Sequence, residues 1–214
     1  MTAPFRRMFM SSIAAGIALL CCCNGPLNAG SETTSGVEIA VDETSIRTKT
    51  ASGATVLLYD KRFEPDSIGL APDTAIADGD GHASFTGLPP GKYNLFVFPE
   101  DSLVGGAAVF DIAVAGNGVR NEYTDTVPFV MLRTVVGTVS RQGQPVVPSQ
   151  VFIPGSPFYA ETDTLGAFVF SKVPENVYTV IVRPLEQTYS PDDTVTIDLA
   201  ASKQAVIEVV IELQ

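Results

Sequence analysis

A stretch of twenty residues in this chain recurs, in altered form, nearer the C-terminus. Asp78 to Val97, DGDGHASFTGLPPGKYNLFV, lies over Asp163 to Val182, DTLGAFVFSKVPENVYTVIV, with no gap, at a constant offset of 85 (163 minus 78). The six identities pair Asp78 with Asp163, Gly81 with Gly166, Phe85 with Phe170, Pro89 with Pro174, Tyr93 with Tyr178 and Val97 with Val182. They fall on turn formers and apolar positions, the pattern left when a structural unit is duplicated. The correspondence extends outward. Gly53 to Tyr59 answers Pro148 to Pro154, after which the first copy runs through a longer excursion, KRFEPDSIGLAPD; Phe110 to Ala115 answers Val195 to Ala200. PFVML ends the first unit as VVIEL ends the second, so a domain boundary is expected near Arg133, with one unit over 36–132 and the other over 133–214.

Each unit reads as strands. VEIAV, TVLLY, HASFTG, YNLFVF and FDIAVA in the first, and VVGTV, AFVFS, YTVIV, TVTIDL and AVIEVVIEL in the second, are short, rich in β-branched residues and partly alternating. Gly and Pro punctuate them, and no window carries a sustained helical stripe beyond the N-terminal segment. The expected fold is all-β: two tandem Greek-key β-sandwich domains. With Phe85 and Phe170 facing inward, alternation buries Ala83 and turns His82, Ser84 and Thr86 outward. The next strand should bury Tyr93, Leu95 and Val97 in one copy and Tyr178, Val180 and Val182 in the other.

The stretch ADGDGHASF gathers Asp78, Asp80 and the single histidine, and the repeat tests whether this is a metal loop. DTLG keeps the first and fourth positions of DGDG but puts Leu165 where Asp80 stands, and Leu cannot ligate a cation. The twelfth position counted from Asp78 is Pro89, where a calcium loop needs a bidentate glutamate. Both stretches therefore read as type I turns, Asp accepting from following N–H groups and Gly supplying positive φ. By the same logic PPGK is read as a type II turn with Gly91 at the positive-φ position, and PENV as its counterpart with Asn176 there. The buried tyrosines Tyr93 and Tyr178 should each make a corner hydrogen bond. No catalytic set and no metal-ligand set emerges. Scattered Asp and Glu show no spacing that selects a pair for acid–base work.

The N-terminal segment is an address. Arg6 and Arg7 precede an apolar run from Met8 to Leu20, too short for a comfortable span, and then LLCCCN. A secretory signal over 1–22 is expected, followed by a flexible tether over 23–35 of small polar residues. All three cysteines lie at 21 to 23, so no disulfide can form within either domain. Removal of Arg6 and Arg7 takes the net charge from −11 to −13, which argues against nucleic acid as a partner.

Two resemblances sharpen this reading. LLCCCN resembles a bacterial lipobox, in which a leucine stands three places before a cysteine that becomes the diacylated N-terminus. Cys23 (with Leu20) and Cys22 (with Leu19) both fit, and Cys23 is preferred because it leaves no free thiol; an ordinary signal cut after Ala29 is the alternative. The pattern D-x-x-G-x-x-x-F-x-x-[LV]-P-x-[GN]-x-Y-x-[LV]-x-V, preceded in the second copy by GTVSRQGQPVVPSQV, resembles the carboxypeptidase regulatory-like domain family. That resemblance implies a transthyretin-like sandwich attached to exported or surface proteins, without catalysis of its own and without a cofactor. Transthyretin relatives that hydrolyse 5-hydroxyisourate use a histidine–arginine set and a tyrosine-rich C-terminus that this chain lacks. In pilin-type sandwiches a Lys joins an Asn or Asp near a buried carboxylate; Lys49, Asp111 and Glu38 are the nearest set in the first unit and read better as surface charges.

The function expected from these features is a noncatalytic, lipid-anchored cell-envelope lipoprotein acting as a structural or interaction module. Its partners would be the membrane, through the lipid anchor, and an envelope protein or polysaccharide. An alternative is glycan or peptide binding through Tyr59, Phe63, Phe158 and Tyr159 on the loops YDKRFEPDSIG and PGSPFY. The edge of AVIEVVIEL could also accept a partner strand, with Glu208 and Glu212 discouraging uncontrolled pairing.

Overall fold

The computed structural model describes residues 36–42, 44–66, 71–101, 105–115, 123–185, 193–201 and 203–213. Among them every regular element is a strand. The expected lipidation residues Cys22 and Cys23, the signal and the tether lie outside the described residues.

The first eight strands make two sheets. One contains β1 (Gly36–Asp42), β2 (Ser45–Lys49), β5 (His82–Phe85) and β8 (Tyr123–Pro128) in the order β5-β2-β1-β8. The other contains β3 (Thr55–Asp60), β4 (Asp73–Ile76), β6 (Gly91–Phe98) and β7 (Ala107–Val114) in the order β4-β3-β6-β7. They enclose a core of Val37, Ile39, Ile46, Val56, Leu58, Phe85, Leu95 and Val97 among others. The strand that closes this sandwich is β8, ending at Pro128. The sequence reading placed that closing segment at PFVML, beyond it, because YTDTVP carries too few large apolar residues to register.

The remaining strands repeat the plan. In one sheet β9 (Leu132–Arg141) pairs with β10 (Gln144–Pro145), with β13 (Ala167–Pro174) and, in parallel, with β16 (Val206–Glu212). In the other, β11 (Ser149–Phe152), β12 (Tyr159–Glu161), β14 (Val177–Pro184) and β15 (Asp193–Asp198) run β12-β11-β14-β15. Matched bonds show which strands correspond. Thr50 N–H donates to the Gly81 carbonyl and Val139 N–H to that of Gly166, both at 2.8 Å, which equates β2 with β9 and β5 with β13. Tyr93 faces Ile112 as Tyr178 faces Ile197. The copies differ in two strands: β1 lies between β2 and β8, whereas β9 and β16 pair directly, and the short β10 beside β9 has no counterpart in the first copy.

The alternation expected from the sequence is realised. Ala83 and Phe85 are buried while His82, Ser84 and Thr86 are exposed; Tyr93, Leu95 and Val97 are buried, as are Tyr178, Val180 and Val182. The proposed type II turns are not. Neither Gly91 nor Asn176 has positive φ; that conformation sits at Gly87 (φ 70°) and its repeat counterpart Lys172 (φ 57°). Gly91 is already the first residue of β6, paired with Val114, so its backbone is committed to an extended ladder. In the second copy Lys172 marks a bulge within β13, and the chain turns at Glu175 and Asn176 before β14.

Candidate functional site

The aspartate corners are backbone devices, down to individual bonds. Asp78 Oδ1 accepts from the N–H groups of Asp80 (3.0 Å) and His82 (2.8 Å), and Asp163 Oδ1 from those of Leu165 (2.8 Å) and Ala167 (2.9 Å). The N–H bond from His82, foremost among such bonds, holds the Asp78 carboxyl below its usual range. Gly81 and Gly166 take φ of 82° and 76°. A Cβ on either would lie 2.0 Å from the Thr50 carbonyl oxygen or 2.5 Å from that of Val139, so glycine is required on two counts. Among the described residues no group of three or more His, Cys, Asp or Glu gathers where a metal could be held. The tyrosine corners are likewise matched: each hydroxyl donates to a carbonyl four residues back, Tyr93 to Pro89 and Tyr178 to Pro174, both at 2.7 Å. Burial pushes the Tyr178 hydroxyl far above the ordinary tyrosine range.

Lys49, Asp111 and Glu38 are not brought together as a bond-forming set. Lys49 faces Glu38 across β1 and β2, both exposed, while Asp111 lies on the other sheet with Lys61 Nζ at 2.5 Å and Lys92 Nζ at 3.5 Å. The Lys61 ammonium, hydrogen-bonded to it, holds the Asp111 carboxyl below its usual range.

The loop aromatics are where the structure departs most from the sequence reading. Tyr59 and Phe158 are buried, Phe63 is half-buried, and only Tyr159 is open at 42% exposure. Their shared surroundings are a seam between the two sandwiches. On the face of β3-β6-β7 that looks away from the first core stand Leu57, Tyr59, Asn94, Phe96, Ala108 and Phe110. Phe96 is fully buried there, with ring centroids 6.1 Å from Tyr59, 5.8 Å from Phe110 and 5.6 Å from Phe158 of the second sandwich. Phe110 reaches Tyr178 at 5.7 Å, and Phe158 lies 6.1 Å from Tyr178. All five contacts are edge-on, the favoured aromatic geometry. A sugar-stacking platform needs open rings; these rings are covered by one another, which removes Tyr59 and Phe158 from that role.

Polar bonds lock the rim. Asn94 Nδ2 donates to the Gly155 carbonyl (3.0 Å) while its Oδ1 accepts the Asp111 N–H (3.2 Å), and Gly155 N–H donates to the Phe63 carbonyl (2.7 Å). Arg183 pairs with Glu64 at 2.8 Å and lies over the Phe152 ring, 5.0 Å from its centroid; Gln150 Nε2 donates to Asp66 at 3.0 Å. Phe63, Glu64 and Asp66 all belong to the excursion that the second copy lacks. A signal for this seam was present in the sequence. The outward positions of β6 read Asn94, Phe96, Phe98 where β14 has Thr179, Ile181, Arg183. A strand covered on both faces loses its alternation and reads as a continuous apolar run.

Geometry thus defines an all-β protein of two sandwiches joined through an aromatic seam, with its matched side chains spent on backbone and core. No protein-family model matches the chain, and no curated protein matches it. Solved structures similar to it include the minor pilin of Streptococcus agalactiae, 19% identical over 77% of this chain and 84% of that one, with a TM-score of 0.32. A shaft pilin of Lactobacillus rhamnosus GG is 11% identical over 78% and 90%, with a TM-score of 0.28. A variant of the major pilin subunit of Bacillus cereus is 11% identical over 80% and 66%, with a TM-score of 0.29. At these values the likeness carries no argument about function, and the fold stands on the strand pairings themselves.

Proposed function

We propose that the chain is a noncatalytic lipoprotein of the cell envelope, anchored through Cys23 or Cys22, whose docked sandwiches form a spacer or interaction module. The observation that carries this reading is how the repeat spends its shared residues. Asp78 and Asp163 serve turn N–H groups, Tyr93 and Tyr178 serve carbonyls, Gly81 and Gly166 bend the chain, and Phe85, Phe170, Val97 and Val182 fill cores. The lipobox-like LLCCCN and the motif shared with carboxypeptidase regulatory-like domains support export and a supporting role, with an envelope protein or polysaccharide as partner. Two acyl chains give lasting attachment where one gives only reversible binding.

The test is the mass of the mature N-terminal peptide in a bacterial host, with Cys23→Ala and Cys22→Ala compared. A diacylated cysteine lost in one variant and accompanied by release from the membrane fraction supports the reading. A soluble exported chain beginning at Gly30 would overturn it.

A further inference from the structure

Load applied along this chain meets two different geometries in its two sandwiches. In the first, the entering strand β1 and the leaving strand β8 are antiparallel neighbours, and Gly36 pairs with Pro128. Entry and exit therefore lie at the same end of the pair. Tension between them acts across the strands and opens the ladder one pair at a time. Beyond Pro128 the chain stays tied to the first sandwich by the isolated bridge of Gly106 and Val130, with bonds of 3.0 and 2.8 Å, and by Phe129, which packs against its core.

In the second sandwich β9 enters and β16 leaves, and these neighbours are parallel, in register from Val206 with Thr134 to Glu212 with Ser140. Entry and exit lie at opposite ends. The outer bonds run from Thr134 N–H to the Ala205 carbonyl (2.9 Å) and from Leu213 N–H to the Ser140 carbonyl (2.8 Å). Tension acts along the strands, and every ladder bond between these brackets must yield together. Ile211 and Leu213 are buried beneath them, so sliding also drags apolar side chains through the core. At the exit the Glu212 carboxylate accepts from Ser140 Oγ and faces Gly143 N–H, pinning the end that load reaches first. The cause of the asymmetry is the inserted strand: β1 separates β2 from β8, whose counterparts β9 and β16 pair directly.

We propose that the chain is a two-stage mechanical element: under tension the first sandwich peels open and lengthens the tether, while the second holds its fold to several-fold higher force. Each release adds roughly 30 nm, from about 3.6 Å of contour per extended residue. Forced opening is governed by the unfolding barrier rather than by equilibrium stability, so two sandwiches of similar stability can differ this way. The asymmetry belongs to the strand order and holds whether or not the N-terminus is acylated.

The test is single-molecule stretching of the chain from Asn24 onward, which keeps every described residue, held by tags at its two ends. A ten-residue Gly-Ser insertion after the exposed Ala201 lengthens only the second-sandwich event and so identifies it. The expected record is a low-force event of unmarked length followed by a marked event at several times that force. Equal forces, or the marked event first, overturn the proposal. A second loading direction guards against a trivial difference in stability. Handles at Met131→Cys and Val177→Cys, both exposed in the wild type, pull the Leu132 and Pro174 ends of the antiparallel pair β9 and β13 apart. The same sandwich should then yield at the lower force; persistence of the high force refutes the geometric cause.

Discussion

Truncating Phe96 to alanine removes a fully buried ring from the seam while leaving the first core intact, since Leu95 and Val97 face the other way. A buried Phe→Ala change costs about 3–5 kcal/mol, and Phe158→Ala on the opposite side should cost a similar amount. The informative quantity is the coupling. The two rings stand edge-on at 5.6 Å, a pair worth roughly 0.5–1.5 kcal/mol beyond area burial, and truncating either leaves a cavity that the other already borders. The double variant should therefore be less destabilised than the sum of the singles by about 1 kcal/mol. Urea unfolding followed by far-ultraviolet circular dichroism and by tyrosine fluorescence, unobscured because the chain has no Trp, gives all four free energies. The wild type should unfold in one transition and Phe96→Ala in two, as the sandwiches lose their mutual support. Leu95→Ala is the control: it damages the first core from the same strand and should add independently to Phe158→Ala. If Phe96→Ala and Phe158→Ala also add to within about 0.3 kcal/mol, with a single transition retained, the rings do not meet and the docked arrangement is wrong.

Other consequences follow from the matched corners. Gly81→Ala and Gly166→Ala each drive a Cβ into a carbonyl oxygen and should abolish folding of their own sandwich. Gly143→Ala, also at positive φ (75°) but with open space around it, should cost only about 1 kcal/mol by thermal melting. Lys172→Gly relieves a left-handed backbone in a non-glycine residue and should raise stability by up to about 1 kcal/mol in the same assay; a loss instead would show that Lys172 is not strained. Because burial holds the Tyr178 hydroxyl protonated, its folded pKa lies above the unfolded value near 10. Its contribution is complete below pH ~10 and is lost as pH rises further, at up to about 1.4 kcal/mol per pH unit. Urea melts at several alkaline pH values should show that slope flattened in Tyr178→Phe, and an unchanged slope would count against the assignment.

What the sequence by itself determined is the part of the structure built over short range. The bonds of Asp78 and Asp163 reach at most four residues ahead, the tyrosine hydroxyls reach four residues back, and side-chain alternation is a property of any extended strand. These features depend on residue type and spacing alone, and a repeat displays them twice. The positive-φ position was misplaced because Pro-Gly and Pro-Glu-Asn satisfy a turn in isolation, whereas the ladder partner Val114 demands extension of Gly91. Only the tertiary structure decided that β1 lies between β2 and β8, that β16 joins β9 in parallel, and that Phe63, Glu64 and Asp66 reach across to the second sandwich. Each joins segments far apart in the chain, where composition is compatible with many pairings. The choice among them is made by which arrangement buries Phe96, Phe110, Phe158 and Tyr178 together while giving both ends of the Asn94 amide a hydrogen bond.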